Sequence, residues 1–184
     1  QTGGCCRASN YVAFIRRALD KAGLGHIPVI SLNLNGMEKN SGFHVSPAMG
    51  LAALRQLVIG DLLMRCLYRT RPYEAVPGSA NALHAKWRDI AAAYAMGEKT
   101  GYTYGGICRG IVADFDALAL NGSLRKPRVG IVGEILVKYM PLANNYLVDL
   151  LEQEGAEAVV PDLTDFLVAV SYTHLRAHET LRYL

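Results

Sequence analysis

Apolar residues recur at helical spacing from Ala8 to Ala22. Ala8, Tyr11, Phe14, Ile15, Ala18, Leu19 and Ala22 fall on one side, and Arg16, Arg17, Asp20 and Lys21 on the other. Gly23 supplies a stop. Ile27-Pro28-Val29-Ile30-Ser31-Leu32 then reads as a buried strand, and Asn33 to Val45 as a loop. Ser46-Pro47 has the cap-then-proline order of a helix start, and Leu51, Leu54, Val58, Leu62 and Cys66 carry that helix to about Arg69. Arg71-Pro72-Tyr73 breaks it. Pro77-Gly78-Ser79 opens another helix carrying Leu83, Trp87, Ile90 and Tyr94, and Gly97 to Gly106 interrupts the pattern. A further helix is predicted from about Ile107 to Leu118, with Ile111 and Phe115 on its apolar side. Beyond the turn signals Asn121-Gly122 and Lys126-Pro127, residues Arg128–Glu134 read as a buried strand. Tyr146 to Glu154 reads as a helix ended by Gly155, and Ala158-Val159-Val160-Pro161 as a last strand.

Strands written as continuous apolar runs, alternating with helices, predict an α/β fold: a parallel sheet with flanking helices. The helical stretch at about 46–120 is expected to be an insertion between two halves of that sheet. Ligands in such folds sit beyond the carboxyl ends of strands. The loops after Leu32, Val132 and Val160 are therefore the ones to watch.

Composition narrows the classes. The chain has 184 residues, about half of them hydrophobic, and a net charge of +3. That charge is too small to argue for nucleic acid, and no run of lysine and arginine does so either. No apolar stretch is read as approaching the roughly 18 or more residues of a membrane span, and no signal peptide is evident, so the expectation is no nucleic acid, no membrane and a cytoplasmic setting. Four cysteines, two adjacent, do not form a disulfide pattern in a chain this long.

Candidate chemistry begins at Gln1-Thr2-Gly3-Gly4-Cys5-Cys6-Arg7, just before a helix. Paired glycines let backbone approach a ligand, and a helix start attracts anions and lowers a nearby thiol pKa. The loop suits a metal cluster or a phosphate. Cys66 reads as a small core residue, and Cys108, in Gly105-Gly106-Ile107-Cys108-Arg109, as a weak ligand candidate. Arg69 and Arg71 either complement a helix C-terminus or contact phosphate or acyl-CoA. Gly130-x-x-Gly133-Glu134 marks either packing or close approach of a ligand. Glu134 is a hydrogen-bond acceptor or, as the catalytic candidate, a base. His26 and His44 are isolated and read as structural.

Several stretches together carry a family resemblance. They are the opening Gln1–Gly4 with Cys6–Tyr11, Asp61–Arg65 with Tyr68–Glu74, Gly130–Ile135, Asn144-Asn145, and Gly155-Ala156-Glu157 running to Val160-Pro161-Asp162. Over residues 1–168 the chain resembles the large activase-related proteins of the 2-hydroxyacyl-CoA dehydratase system, in their dehydratase-like region. The resemblance implies an anaerobe's cytoplasmic protein linked to ATP-driven, one-electron activation of a dehydratase, a lyase, through a [4Fe–4S] cluster. It further implies an acyl-CoA substrate and a fragment whose partner is the remainder of its parent polypeptide. Cys6 takes the position of the family's cysteine and is the expected metal ligand, its alternative being a loop thiol without metal. Cys5 replaces an expected third glycine. Arg69, Arg71, Gly130 and Gly133 are the expected cofactor-binding residues. No phosphate loop of the actin and Hsp70 type is present, so this fragment is not expected to bind or hydrolyse ATP. The alternative expectation is a non-catalytic scaffold or docking domain joining ATPase modules to a partner.

The tail differs in kind. Val170 through Thr180 resembles one reading frame of a sequencing adapter, and residues 169–184 are expected to be a poorly packed appendage. The i, i+4 pair His174 and His178 inside it is therefore set aside as a metal site. The tail holds two arginines and one glutamate, so the remaining chain carries +2.

Overall fold

A computed structural model of the chain describes residues 10–29, 46–122 and 125–180. Two compact units divide the chain, Gln1–Ser46 and Pro47–Leu184. In the first, α1 (Tyr11–Lys21) ends where the sequence says it should. Gly23 takes φ +74°, a left-handed conformation that costs glycine little, and its N–H bonds the Asp20 carbonyl at 3.1 Å. The strand expected over Ile27–Leu32 does not begin at its first residues: Ile27, Pro28 and Val29 are irregular, Ile27 and Pro28 exposed, and the rest of that stretch lies outside the described residues.

The second unit is built around one long helix. α2 (Pro47–Thr70) packs on α3 (Ser79–Ala95) and α4 (Tyr104–Asp116). Its Ile59, Leu63 and Leu67 recur every four residues and meet Ala80, Trp87 and Ala91 of α3 and Ile107, Ile111 and Phe115 of α4. The buried face lies one position round from the sequence expectation. Leu51, Leu54 and Val58 are exposed, and Leu62 and Cys66 only half-buried. Helix α2 is apolar on more than one side, so periodicity alone does not select the side that α3 and α4 cover. For the same reason the expectation that nothing is long and apolar enough to span a membrane needs correcting. Pro47–Tyr73 contains an 18-residue window of mean hydropathy 1.3, sufficient by length and composition. Arg55, Asp61 and Arg65 interrupt the apolar run there, which hides the window from a count of unbroken apolar residues.

Caps fix the helix ends. The Glu74 carboxylate accepts from the backbone N–H of Gly78 at 2.6 Å and of Ala80 at 2.8 Å, and from the Ser79 hydroxyl at 3.2 Å, at the start of α3. Burial pushes this carboxyl up, but the three donors outweigh it and hold it below its ordinary value. Thr103 caps α4 through a 3.1 Å bond from Gly106 N–H. Trp87, 2% exposed, is pinned by its indole N–H to Asp114 at 2.9 Å and by the edge of Tyr102.

After the helices come β1 (Arg128–Gly130), α5 (Ile135–Tyr139), α6 (Leu147–Gln153), β2 (Glu157–Val159) and α7 (Leu163–Thr180). The two strands pair parallel, Arg128 with Glu157 through Gly130 with Val159. The chain is thus mostly helical, 65%, with a small parallel sheet, compatible with a mixed α/β fold. β2 is mostly buried under α2 and α6, whereas all three residues of β1 are exposed. The expected buried strand at Arg128–Glu134 is therefore shorter and more exposed than its apolar run suggests, because no further strand covers its outer edge among the described residues. Both strands among the described residues follow the helical region, and most of the stretch where the first sheet half was expected, residues 30–45, lies outside them.

Buried Asp61, on α2, accepts from the N–H of Leu163 at 3.1 Å, the N–H of Thr164 at 2.7 Å and the Thr164 hydroxyl, capping α7. Arg65 pairs with Asp162 beside it. The tail expected to be a loose appendage continues α7 to Thr180, a helix already started by this cap, while Val168 and Tyr172 stay exposed. His174 and His178 fall in α7, and their side chains lie outside the described residues, as do Gly3, Gly4, Cys5, Cys6 and His44 in full.

Candidate functional site

The loop leaving the carboxyl end of β1 is shaped by its backbone. Ile131 N–H extends the ladder to the Val159 carbonyl at 2.9 Å, after which Gly133 turns with φ +138°. That conformation favours glycine strongly. Gly130 has no such requirement, and a Cβ placed on either glycine would meet nothing within 4 Å. Neither glycine is therefore explained by a neighbouring helix pressing on it. Glu134 acts as N-cap of α5, accepting from Val137 N–H at 3.0 Å.

One amide side chain organises the turn between α5 and α6. Asn144 donates through Nδ2 to the carbonyls of Val137 (2.9 Å) and Lys138 (3.3 Å), and its Oδ1 accepts from Leu147 N–H at 3.2 Å. This clasp closes the segment in which Asn145 and Tyr146 both adopt φ +56°. Two consecutive non-glycine residues there are strained and must be held by their surroundings.

The turn forms one wall of a pocket of about 220 Å³ beyond the carboxyl end of β2. Met64, Leu67 and Tyr68 of α2, Tyr139 of α5, Tyr146 and Arg71 supply half of its lining residues. Tyr139 donates to the Pro161 carbonyl at 2.5 Å, and burial together with Asp61, Asp162 and Asp165 pushes its phenol up to about 12. It is a fixed donor at neutral pH.

Arg71 is committed to carboxylates. Its Nε reaches Glu152 at 2.7 Å and its Nη2 reaches Glu152 and Asp149, both at 3.1 Å, while the guanidinium lies 5.6 Å from the Tyr68 ring centre. Burial would lower its pKa, but Glu152 and Asp149 outweigh burial and raise it. Bidentate pairing of this kind leaves Arg71 without spare charge for a phosphate.

Arg69, two residues away, faces elsewhere. It lines a groove of about 360 Å³ with Arg125, Lys126, Arg128, Tyr73 and Glu157, at the amino ends of the two strands. Glu157 is buried and fully engaged, accepting from Arg128 Nε at 3.0 Å and from the Tyr73 hydroxyl at 3.0 Å. Tyr73 in turn accepts from Lys126 N–H at 3.1 Å, and the Lys126 ammonium lies 5.9 Å from its ring centre. A cleft of about 240 Å³ along β2 joins the two sites, sharing Tyr68 and Val160 with the pocket and Arg69 and Arg128 with the groove. The structure thus separates the two arginines that the sequence pairs. Tyr139 has no chemical signal in the sequence, Asn144 enters only through the resemblance, and Lys126-Pro127 reads only as a turn.

The cysteines are dispersed. Cys66 and Cys108 both pack partly buried against the helical core, and burial pushes the Cys66 thiol up, with Asp116 adding to it. Neither belongs to a group of three or more potential metal ligands among the described residues. His26 is exposed in the first unit. Compared with known proteins, the chain matches no family model, no curated protein and no solved structure.

Proposed function

We propose that this chain is part of an acyl-CoA dehydratase or activase-related protein, and that the pocket beyond β2 receives the acyl end of a 2-hydroxyacyl-CoA. The pocket itself carries this reading: a cavity beyond the carboxyl end of β2, a strand of a parallel pair, walled by Tyr68, Tyr139 and Tyr146. At about 220 Å³ it is smaller than cavities that enclose a whole drug-sized ligand, so it suits a short acyl group and its thioester alone. In the same reading β1 and β2 are one pair of a larger parallel sheet with flanking helices, completed by the rest of the parent polypeptide. A [4Fe–4S] cluster, if the parent holds one, supplies one-electron reduction. Cys6 is the thiol of this chain that would join it, with Cys66 and Cys108 left out.

Titration calorimetry with a short-chain 2-hydroxyacyl-CoA tests the pocket. Tyr146→Ala, at an exposed ring, should weaken binding about tenfold, in line with loss of one well-packed aromatic contact. Equal binding by the variant, or none by the unaltered chain, removes the reading. Anaerobic reconstitution with iron and sulfide tests the cluster: visible absorption that Cys6→Ser leaves unchanged excludes Cys6.

A docking role has its own support. Leu51, Leu54 and Val58 form an exposed apolar stripe on the first half of α2. A scaffold that joins ATPase modules to a partner would use such a stripe, and would bind no acyl-CoA.

A further inference from the structure

We propose that the groove of Arg69, Arg125, Lys126 and Arg128 binds the diphosphate of a nucleotide-type ligand. Four cations face one carboxylate there, so the groove alone carries a net +3, as much as the entire chain. Glu157 is already shared between Arg128 and Tyr73. Neither Arg69 nor Arg125 has a carboxylate partner among the described residues, although ion pairs occupy Arg65, Arg71, Lys86, Arg88 and Arg128. Like charges brought together without neutralisation repel, and the repulsion is relieved when an anion enters. Planar guanidinium groups match phosphate oxygens two at a time.

The surroundings fix the class of anion. The groove is a concavity of about 360 Å³, too confined for a flat macromolecular surface and ample for two linked phosphates. The Tyr73 ring and the exposed Leu120 add an apolar wall on which the remainder of a ligand can rest. Tyr73 itself cannot swing away, since its hydroxyl is held from both sides by Lys126 N–H and Glu157. Two sources share this chemistry: a free nucleoside diphosphate, or the diphosphate of a CoA whose acyl end lies in the tyrosine pocket, reached along the cleft on β2. The case for the groove stands without the pocket.

Calorimetry on the full chain at low salt, with pyrophosphate, ADP and CoA as separate probes, tests it. Pyrophosphate and ADP should bind, Arg69→Ala and Arg125→Ala should each weaken them about tenfold, and added salt should weaken them further. Both arginines are exposed, so the variants should keep the fold. Arg88→Ala, elsewhere on the surface, should leave binding unchanged. CoA binding more tightly than ADP, with Tyr146→Ala removing the difference, identifies CoA as the source. CoA binding no tighter than ADP, and unchanged by Tyr146→Ala, keeps the groove and refutes the acyl-CoA pocket. Absence of binding by all three probes, or variants that bind as well as the unaltered chain, overturns the proposal. So does a DNA oligonucleotide that binds through the same arginines more tightly than ADP.

Discussion

Gly110 is the position where a single methyl group should do the most damage. It sits in α4 directly over the indole of Trp87, and a Cβ built there would lie 2.6 Å from Cζ2, 3.2 Å from Cζ3 and closer still to Cη2. Carbon atoms rest comfortably at about 3.5–4.0 Å, so the ring or the helix must move. The ring has little freedom: it is fully enclosed, held at one edge by Asp114 and contacted by Tyr102 at a centroid distance of 5.4 Å. Against this, alanine is the better helix former by about 1 kcal/mol. Overpacking a tight core costs roughly 1–3 kcal/mol, and more when backbone must shift. The steric cost wins, and Gly110→Ala is expected to lose about 1–2 kcal/mol net. Trp87 is the only tryptophan, so urea unfolding followed by its fluorescence reads the change directly. Gly60→Ala on α2 is the matched comparison, because a Cβ there meets nothing within 4 Å. It should gain up to about 1 kcal/mol from propensity alone. A Gly110→Ala chain as stable as the original would refute the packing argument.

Three further outcomes are expected. Asp61→Ala removes three acceptor contacts at the start of α7 and should cost about 1–3 kcal/mol, with faster hydrogen exchange at the Leu163 and Thr164 amides; unchanged exchange would sink the capping argument. Glu74 has a folded pKa below its unfolded value, so its contribution is complete above the ordinary glutamate range and is lost as pH falls through the lower folded value. Glu74→Gln should therefore flatten the acid side of a stability-versus-pH curve, and a curve of unchanged shape would contradict the sign. A chain ended at Val168, itself exposed, should unfold within about 0.5 kcal/mol of the full one, because the removed residues begin beyond the Asp61 cap.

What the sequence made legible was local. The start of α2 at Ser46-Pro47, the glycine stop after α1, and the burial of Trp87, Ile111 and Phe115 all follow from short-range rules, and the structure has them. The failures are those of distance. Periodicity on α2 could not choose between Leu62 and Leu63, since the choice is made by α3 and α4. The partners of Arg71 lie 78 and 81 residues away, at Asp149 and Glu152, so nothing near Arg71 reveals that its charge is spent. Residues 126–128 read as a turn and a strand start, so nothing signals that Arg69 comes to meet their charges. α5 is five residues long, and its hydrophobic run looks the same in a strand.

Helix α2 touches both halves of its unit, and this has a consequence for how the chain folds. Its contacts with α3 and α4 close modest loops, whereas Arg65 finds Asp162 across 97 residues. Nearby contacts form first, and distant ones wait on costly loop closure. A two-stranded sheet with three-residue strands is not stable by itself. During synthesis the three helices therefore assemble while β1 and β2 are still unmade. Until β2 arrives, the side of α2 that it will cover stays open to solvent, and that interval is when the nascent chain is most exposed to misassociation.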